Sequence, residues 1–266
     1  MVRPAHGPVR AIPPAIPSAP FTERIGASSD VGHCLAGVSV DDVTRELGDR
    51  FFRTYEHGRT GLKIIDIGAQ DVNGSLREYA PADCDYVGVD FMAAKGVDVV
   101  LEDPYALPFP DGLADMVVCS SVLEHSAHFW LLFNEMVRLL KPSGLLFINA
   151  PANGSFHRYP VDCWRFYPDS GRGLEDWGRR SGFGELLMLE SFTSHREKHG
   201  MCHFTAVFLK DAAHAADYPG RIQDSYQRYT NGLVAGATEF TRMRRKPVGD
   251  RGYWGEQWKL LIGKPI

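Results

Sequence analysis

The stretch DPYALPFPDGLADMVVCSSVLEH, from Asp103 to His125, decides how this chain folds. Pro104, Pro108 and Pro110 followed by Asp111 and Gly112 fix backbone angles and remove N–H donors, so this opening reads as a loop. ADMVVCSS at 114–121 is then an apolar run of strand length that stops at two serines, and Leu123-Glu124-His125 opens the next helix. A strand that passes through a short polar turn into a helix is the repeating unit of a parallel sheet.

Similar runs flank it. LKIIDIG (62–68), CDYVGVD (84–90) and VDVVLED (97–103) precede it, and GLLFINAP (144–151), ELLMLESF (185–192) and HFTAVFLK (203–210) follow. Between the fourth and fifth runs, HFWLLFNEMVRLLKPSG has the apolar spacing of an amphipathic helix and a Lys-Pro-Ser-Gly stop. Alternating strands and helices predict an α/β fold, a doubly wound and mostly parallel sheet with helices on both faces. Ahead of it, Val43, Leu47 and Phe51 recur every four residues after a Ser39/Asp42 capping pattern, predicting a helix over 40–56. Six of the 17 prolines fall in the first 20 residues, which predicts a flexible arm over 1–20. The expected organisation is that arm, a helical accessory over 21–60, the sheet domain over 61–211 and an accessory segment over 212–266. Tyr253, Trp254 and Trp258 in the last segment leave room for a homo-oligomer contact.

Composition narrows the function. With 44% hydrophobic and 23% charged residues the chain has material for a core, and its net charge of -4 argues against a nucleic-acid partner. No apolar run reaches the roughly 20 residues of a membrane span, and no signal-type segment is visible, so a cytoplasmic protein with no membrane partner is expected. The 5 cysteines lack CxxC pairs and read as free thiols. His195, His199 and His203 recur every four residues, but Gly200 and the surrounding strand pattern deny them a helical face, so no metal site is expected.

In an open parallel sheet, ligands bind beyond the carboxyl ends of the strands. The first run ends at Asp66 and Gly68, and the loop GAQDVNG lacks the GxGxxG fingerprint of a dinucleotide site. The second ends at Asp90, 24 residues after Asp66, where a carboxylate can accept both hydroxyls of a ribose. The third ends at Asp103 and the fourth at Ser120 and Ser121, with Glu124 and His125 just beyond.

From 62 to about 210 the chain resembles the class I S-adenosylmethionine-dependent methyltransferases, in particular the small-molecule branch, most specifically in the 103–125 signature. The resemblance implies a seven-stranded sheet of order 3-2-1-4-5-7-6 with the last strand antiparallel, and S-adenosylmethionine as cofactor. It places Asp66 and Gly68, with Ala69, near the methionine part of the cofactor. Asp90, with Phe91, falls at the ribose, and Asp103 at the adenine amino group. Ser120 and Ser121 line the sulfonium. Because Pro104 has no N–H, a backbone donor to the ring falls to Tyr105 or to water.

Methyl transfer from a sulfonium needs alignment and exclusion of water, and an alcohol acceptor also needs a base. His125 and His157 are the candidate bases. Glu124 reads as a hydrogen-bonding support, and Arg158, Tyr159, Asp162, Trp164 and Arg165 as a substrate loop. The plainer alternative makes His125 a helix cap, and Trp164 with Phe166 a core plug beside an Arg165–Asp162 surface pair. The expected function is methyl transfer to an oxygen, in preference to a nitrogen, of a small polar metabolite such as a sugar or hydroxylated natural product. A catalytically inactive scaffold and a NAD-dependent oxidoreductase are the alternatives.

Overall fold

The computed structural model describes residues 42–72, 74–195, 201–244 and 261–262. The proline arm over 1–20, the Ser39 cap, His199 and the Tyr253–Trp258 patch lie outside them.

Helix α1 (Asp42–Tyr55) forms where the four-residue spacing predicts it and buries Val43, Leu47, Phe51 and Tyr55 against the sheet. Phe51 packs on Phe147 with ring centroids 4.9 Å apart. The strands are β1 (Lys63–Ile67), β2 (Asp85–Asp90), β3 (Val99–Val100), β4 (Ala114–Ser120), β5 (Leu140–Pro151), β6 (Leu187–Ser194), β7 (His203–Leu209) and β8 (Tyr229–Val234). They form one sheet of order 3-2-1-4-5-7-6-8 in which β7 and β8 run antiparallel to their neighbours. Period-two alternation sorts β1 cleanly: Ile65 and Ile67 face the layer of α2 (Phe129–Leu139) and α3 (Ser170–Arg180), while Ile64 faces the layer of α1. Helices thus cover both faces, as expected.

Three expectations need correction. The sheet has eight strands, because YTNGLV after the short helix α4 (Ile222–Ser225) pairs with β6 and extends the edge. The third strand is only Val99–Val100, so Asp103 sits in an exposed turn beyond it. The Lys-Pro-Ser-Gly stop after α2 already belongs to β5: Leu140 pairs with Ala114, and the chain bulges before Leu145 meets Met116. Gly144 is required inside that bulge, since a Cβ there would lie 3.0 Å from the Ala114 carbonyl oxygen.

The segments flanking the sheet are joined by one buried carboxylate. Glu190 on β6 accepts hydrogen bonds from the Tyr55 hydroxyl (2.6 Å), from the backbone N–H groups of Ile222 (2.6 Å) and Gln223 (3.1 Å), and from the Gln223 side chain (3.1 Å). Burial pushes its carboxyl up, and these donors oppose the rise. Helix α1, β6 and α4 therefore meet at one fully hydrogen-bonded point.

Candidate active site

The parallel register brings the strand ends into line. Ile67 lies beside both Val89 and Cys119, and Ser120 beside Asn149, so Gly68, Asp90, Ser120 and Asn149 share one edge of the sheet. Gly68 leaves β1 at φ +81, a region that costs other residues about 1–2 kcal/mol, and the N–H groups of Gly68 and Ala69 both donate to the Val89 carbonyl. A Cβ on Gly68 would fall 2.1 Å from Val122 Cγ2, so the first loop and the turn after β4 touch through this glycine. The loop is closed below by Asp71, which accepts from Gly74 N (2.9 Å) and pairs with Lys95 at 2.6 Å.

Each acid has a distinct environment. Asp66 is buried and accepts from the Tyr86 hydroxyl at 2.8 Å; burial lifts its carboxyl to about 6, against that hydrogen bond and the nearby Arg77 charge. Asp90 is buried at the end of β2, and its carboxyl is raised by burial although N–H groups of Met92, Phe91 and Gln70 support the charge. Asp103 is exposed and accepts from Tyr105 N at 2.8 Å. That bond occupies the N–H that the sequence offered as a donor to an adenine ring. The Tyr105 hydroxyl in turn accepts from His128 N at 3.1 Å, and Arg138 clamps the loop through the carbonyls of Leu107 (3.0 Å) and Phe109 (2.8 Å).

The turn after β4 carries the polar centre. Ser121 adopts φ +56, uncommon for a side-chain-bearing residue, and its N–H donates to the Asn149 carbonyl at 2.9 Å. The next residues, Leu123–His125, make a single 3-10 turn. The long segment after β5 folds back onto it: Cys163 N donates to the Glu124 carbonyl (2.7 Å), Trp164 Nε1 to the Ser126 carbonyl (2.9 Å), and Val161 offers its carbonyl to His125 Nδ1 at 2.5 Å. Tyr159 reaches across to Gln70 in the first loop, hydroxyl to Oε1, at 2.7 Å. His157 is thereby held with its ring centroid 5.1 Å from that of His125, edge to face.

Charges in this segment are paired. Arg165 binds Asp162 through two nitrogens (2.5 and 2.8 Å), and His157 N donates to the same carboxylate at 2.7 Å. Burial works against Asp162, but these donors hold its carboxyl down to about 2. The Asp162 side chain is 1% exposed and that of Arg165 21%, so the pair that the plainer alternative put on the surface has a buried carboxylate. Trp164 is partly exposed, Phe166 is a core residue, and Arg158 is exposed with Nε on the Pro160 carbonyl at 3.1 Å. Glu124 is fully buried, which pushes its carboxyl up to about 8 despite its own N–H and the Arg165 charge; burial also lowers His125.

The structure thus brings Gly68, Asp90, Ser120, Ser121, Glu124, His125, His157, Tyr159, Asp162 and Arg165 into one region, and leaves Arg158 and Asp103 on its exposed margin. It adds Gln70 and Asn149, which the sequence reading passed over. Asn149 is fully buried, its amide donates to Thr205 Oγ1 at 3.1 Å, and its Oδ1 and the neighbouring Ser120 Oγ have no hydrogen-bond partner. The signal was available, since Asn149 is the polar residue inside the apolar run FINAP. A cavity of about 410 Å³ between α2 and α3, lined by Phe129, Trp130, Phe166, Leu174 and Trp177, holds none of the acids or histidines.

An α/β sheet of order 3-2-1-4-5-7-6-8 with a glycine turn after β1 and a buried acid at the end of β2 is a fold that receives ligands beyond the carboxyl ends of its strands. Comparison with known proteins agrees. The methyltransferase domain family matches residues 65–148. A protein of Mycolicibacterium vanbaalenii named an uncharacterized methyltransferase is 26% identical over 222 residues, covering 78% of this chain and 81% of that one. Another from Mycolicibacterium gilvum is 34% identical over 181 residues, 67% of this chain and 62% of that one, whereas one from Mycobacterium leprae aligns over 41% of this chain and 44% of its own length at 30% identity. Among solved structures, the Burkholderia thailandensis 1,6-didemethyltoxoflavin-N1-methyltransferase shares the fold at TM-score 0.50 and 15% identity, over 64% of this chain and 80% of that one. The matching domain, the relatives and the shared fold support a class I S-adenosylmethionine-dependent methyltransferase. Neither the oxidoreductase nor the scaffold alternative is favoured by these relatives. Among the described residues no helix is long and apolar enough to cross a membrane.

Proposed function

We propose that this enzyme transfers the methyl group of S-adenosylmethionine to an oxygen, in preference to a nitrogen, of a small polar metabolite such as a sugar or hydroxylated natural product. The observation that carries the reading is the pair His125 and His157 beside the β4 carboxyl end, with His125 Nδ1 engaged by the Val161 carbonyl. That contact fixes the neutral tautomer with the proton on Nδ1 and a lone pair on Nε2, and burial favours the same uncharged form. Fit to the cofactor rests on three features: the glycine turn at Gly68, the Asp90 carboxylate at the ribose position, and the unpartnered buried Ser120 Oγ and Asn149 Oδ1 beside them. Gly68, Ala69, Asp90, Phe91, Pro104, Tyr105, Ser120 and Ser121 would hold it, with Asp66 beneath and Asp103 at the margin. The cofactor supplies an electrophilic methyl group on a sulfonium, so no acid is needed for the leaving thioether.

Within this frame, Nε2 of His125 or His157 accepts the proton of the acceptor hydroxyl as its oxygen takes the methyl group. Tyr159, bonded to Gln70, holds the substrate segment against the cofactor loop and shuts out water. Arg165 and Asp162 set the position of His157, and Arg158, Trp164 and Glu124 complete the substrate surface. His125→Ala and His157→Ala are expected to cut turnover of a hydroxylated acceptor by about 100-fold or more while changing S-adenosylhomocysteine affinity by less than about threefold. Wild-type turnover in both variants refutes the base assignment.

A further inference from the structure

Glu124 and His125 are neighbours in sequence and His157 lies in the loop after β5, yet each of the three presents a ligand atom within 4.8 Å of those of the other two. Glu124 Oε1 lies 3.7 Å from His125 Nε2. Metal bonds of about 2.0–2.2 Å set neighbouring ligands of one tetrahedral ion roughly 3.4 Å apart, so small rotamer adjustments close the set. Both imidazoles are oriented as ligating histidines are, with Nδ1 against a backbone carbonyl: His125 on Val161 at 2.5 Å and His157 on Ser155 at 3.1 Å. The Glu124 side chain is 2% exposed and its Oε2 has no hydrogen-bond partner. A buried carboxylate with Oε1 beside an imidazole and Oε2 without a hydrogen-bond partner needs a proton or a cation.

We propose that Glu124, His125 and His157 bind one divalent transition-metal ion whose open positions take the hydroxyl of the methyl acceptor. Two imidazoles and one carboxylate favour zinc-type or iron(II)-type ions over magnesium and calcium, which prefer all-oxygen sets. The surrounding charges permit it: Arg165 is neutralised by Asp162, so an ionised Glu124 leaves the cluster with one net negative charge. The inference rests on the methyl-transfer function proposed above and gives its two histidines another part: their Nε2 lone pairs hold the ion, which takes over activation of the acceptor hydroxyl from a histidine base. With the ion in place, the acceptor hydroxyl ionises as a metal ligand and its proton passes to water. Its oxygen then forms the new C–O bond as the C–S bond breaks and the electron pair returns to sulfur.

The test uses the full chain without a histidine tag, stripped with chelator, in the absence of cofactor and acceptor. Zinc titration by calorimetry and metal analysis after gel filtration should give one equivalent bound. Glu124→Gln and His157→Ala should bind zinc at least tenfold more weakly, and His128→Ala, a change at an exposed neighbouring histidine, should bind it as wild type does. Far-UV circular dichroism and S-adenosylhomocysteine affinity confirm that the variants are folded. Zinc well below one equivalent in the wild type, or equal affinity in wild type, Glu124→Gln and His157→Ala, overturns the site. A stripped enzyme that transfers methyl at the full rate overturns the ion's role and leaves the methyl-transfer reading intact. Loss of S-adenosylhomocysteine binding in the wild type overturns that reading while the zinc result stands by itself.

Discussion

Replacing Gly68 with alanine tests how the first loop is built. At φ +81 an alanine costs about 1–2 kcal/mol in backbone strain. Its Cβ would lie 2.1 Å from Val122 Cγ2, and relieving that overlap in a packed site costs about 1–3 kcal/mol. The Gly68→Ala protein should therefore lose about 2–5 kcal/mol in urea denaturation and bind S-adenosylhomocysteine at least tenfold more weakly. Val122→Ala removes the colliding methyl groups but not the strain. Against a Val122→Ala background, Gly68→Ala should then cost only about 1–2 kcal/mol, a coupling of about 1–3 kcal/mol. Simple additivity within about 0.5 kcal/mol would refute the claim that the glycine is needed because the turn after β4 presses on it.

Three further outcomes are expected. Asp66 is held protonated up to about 6 by burial, and an ammonium of the bound cofactor would favour its charged form, so S-adenosylhomocysteine affinity should climb from pH 5 to 6 and level off above; Asp66→Asn should abolish the climb in calorimetry. The sign for folding is opposite: the unfolded chain ionises Asp66 first, so the unliganded protein should lose up to roughly 3 kcal/mol relative to Asp66→Asn as pH rises from about 4 to about 6, read by denaturation at each pH. Tyr159→Phe deletes the bond to Gln70, worth about 0.5–1.5 kcal/mol, and should raise KM for the acceptor several-fold with the fold unchanged by melting temperature. Tyr55→Phe removes one donor from the buried Glu190 and should lower stability by about 1–3 kcal/mol without changing cofactor affinity.

The sheet was largely legible because its strands are short apolar runs that stop at an acid, a serine or a glycine, and the helix between β4 and β5 has a clear stripe. What escaped has physical reasons. YTNGLV is an edge strand with Asn231 and Gly232 in its middle, so its pairing with β6 left little trace in periodicity. Lys141-Pro142-Ser143-Gly144 reads as a helix stop because a β-bulge uses the same residues. Asp103 looked like a strand end, but its carboxylate is spent on the turn at Tyr105. In the site, each histidine stood out singly. That His125 and His157 meet depends on Cys163 N bonding the Glu124 carbonyl and on the His125 ring bonding the Val161 carbonyl, contacts to backbone groups that no side-chain pattern encodes. The partnerless Oε2 of Glu124 was equally invisible, since burial of a carboxylate is decided by the loop that covers it.

The account turns on S-adenosylmethionine being held at the carboxyl ends of β1, β2 and β4 by groups led by Asp90. Calorimetry of S-adenosylhomocysteine with wild type and Asp90→Asn addresses this directly. The account predicts one site in the wild type and at least tenfold weaker binding in the isosteric variant, whose neutral amide cannot accept two hydroxyl protons as the carboxylate does. Equal affinity in the two proteins, or no binding to the wild type, would contradict it.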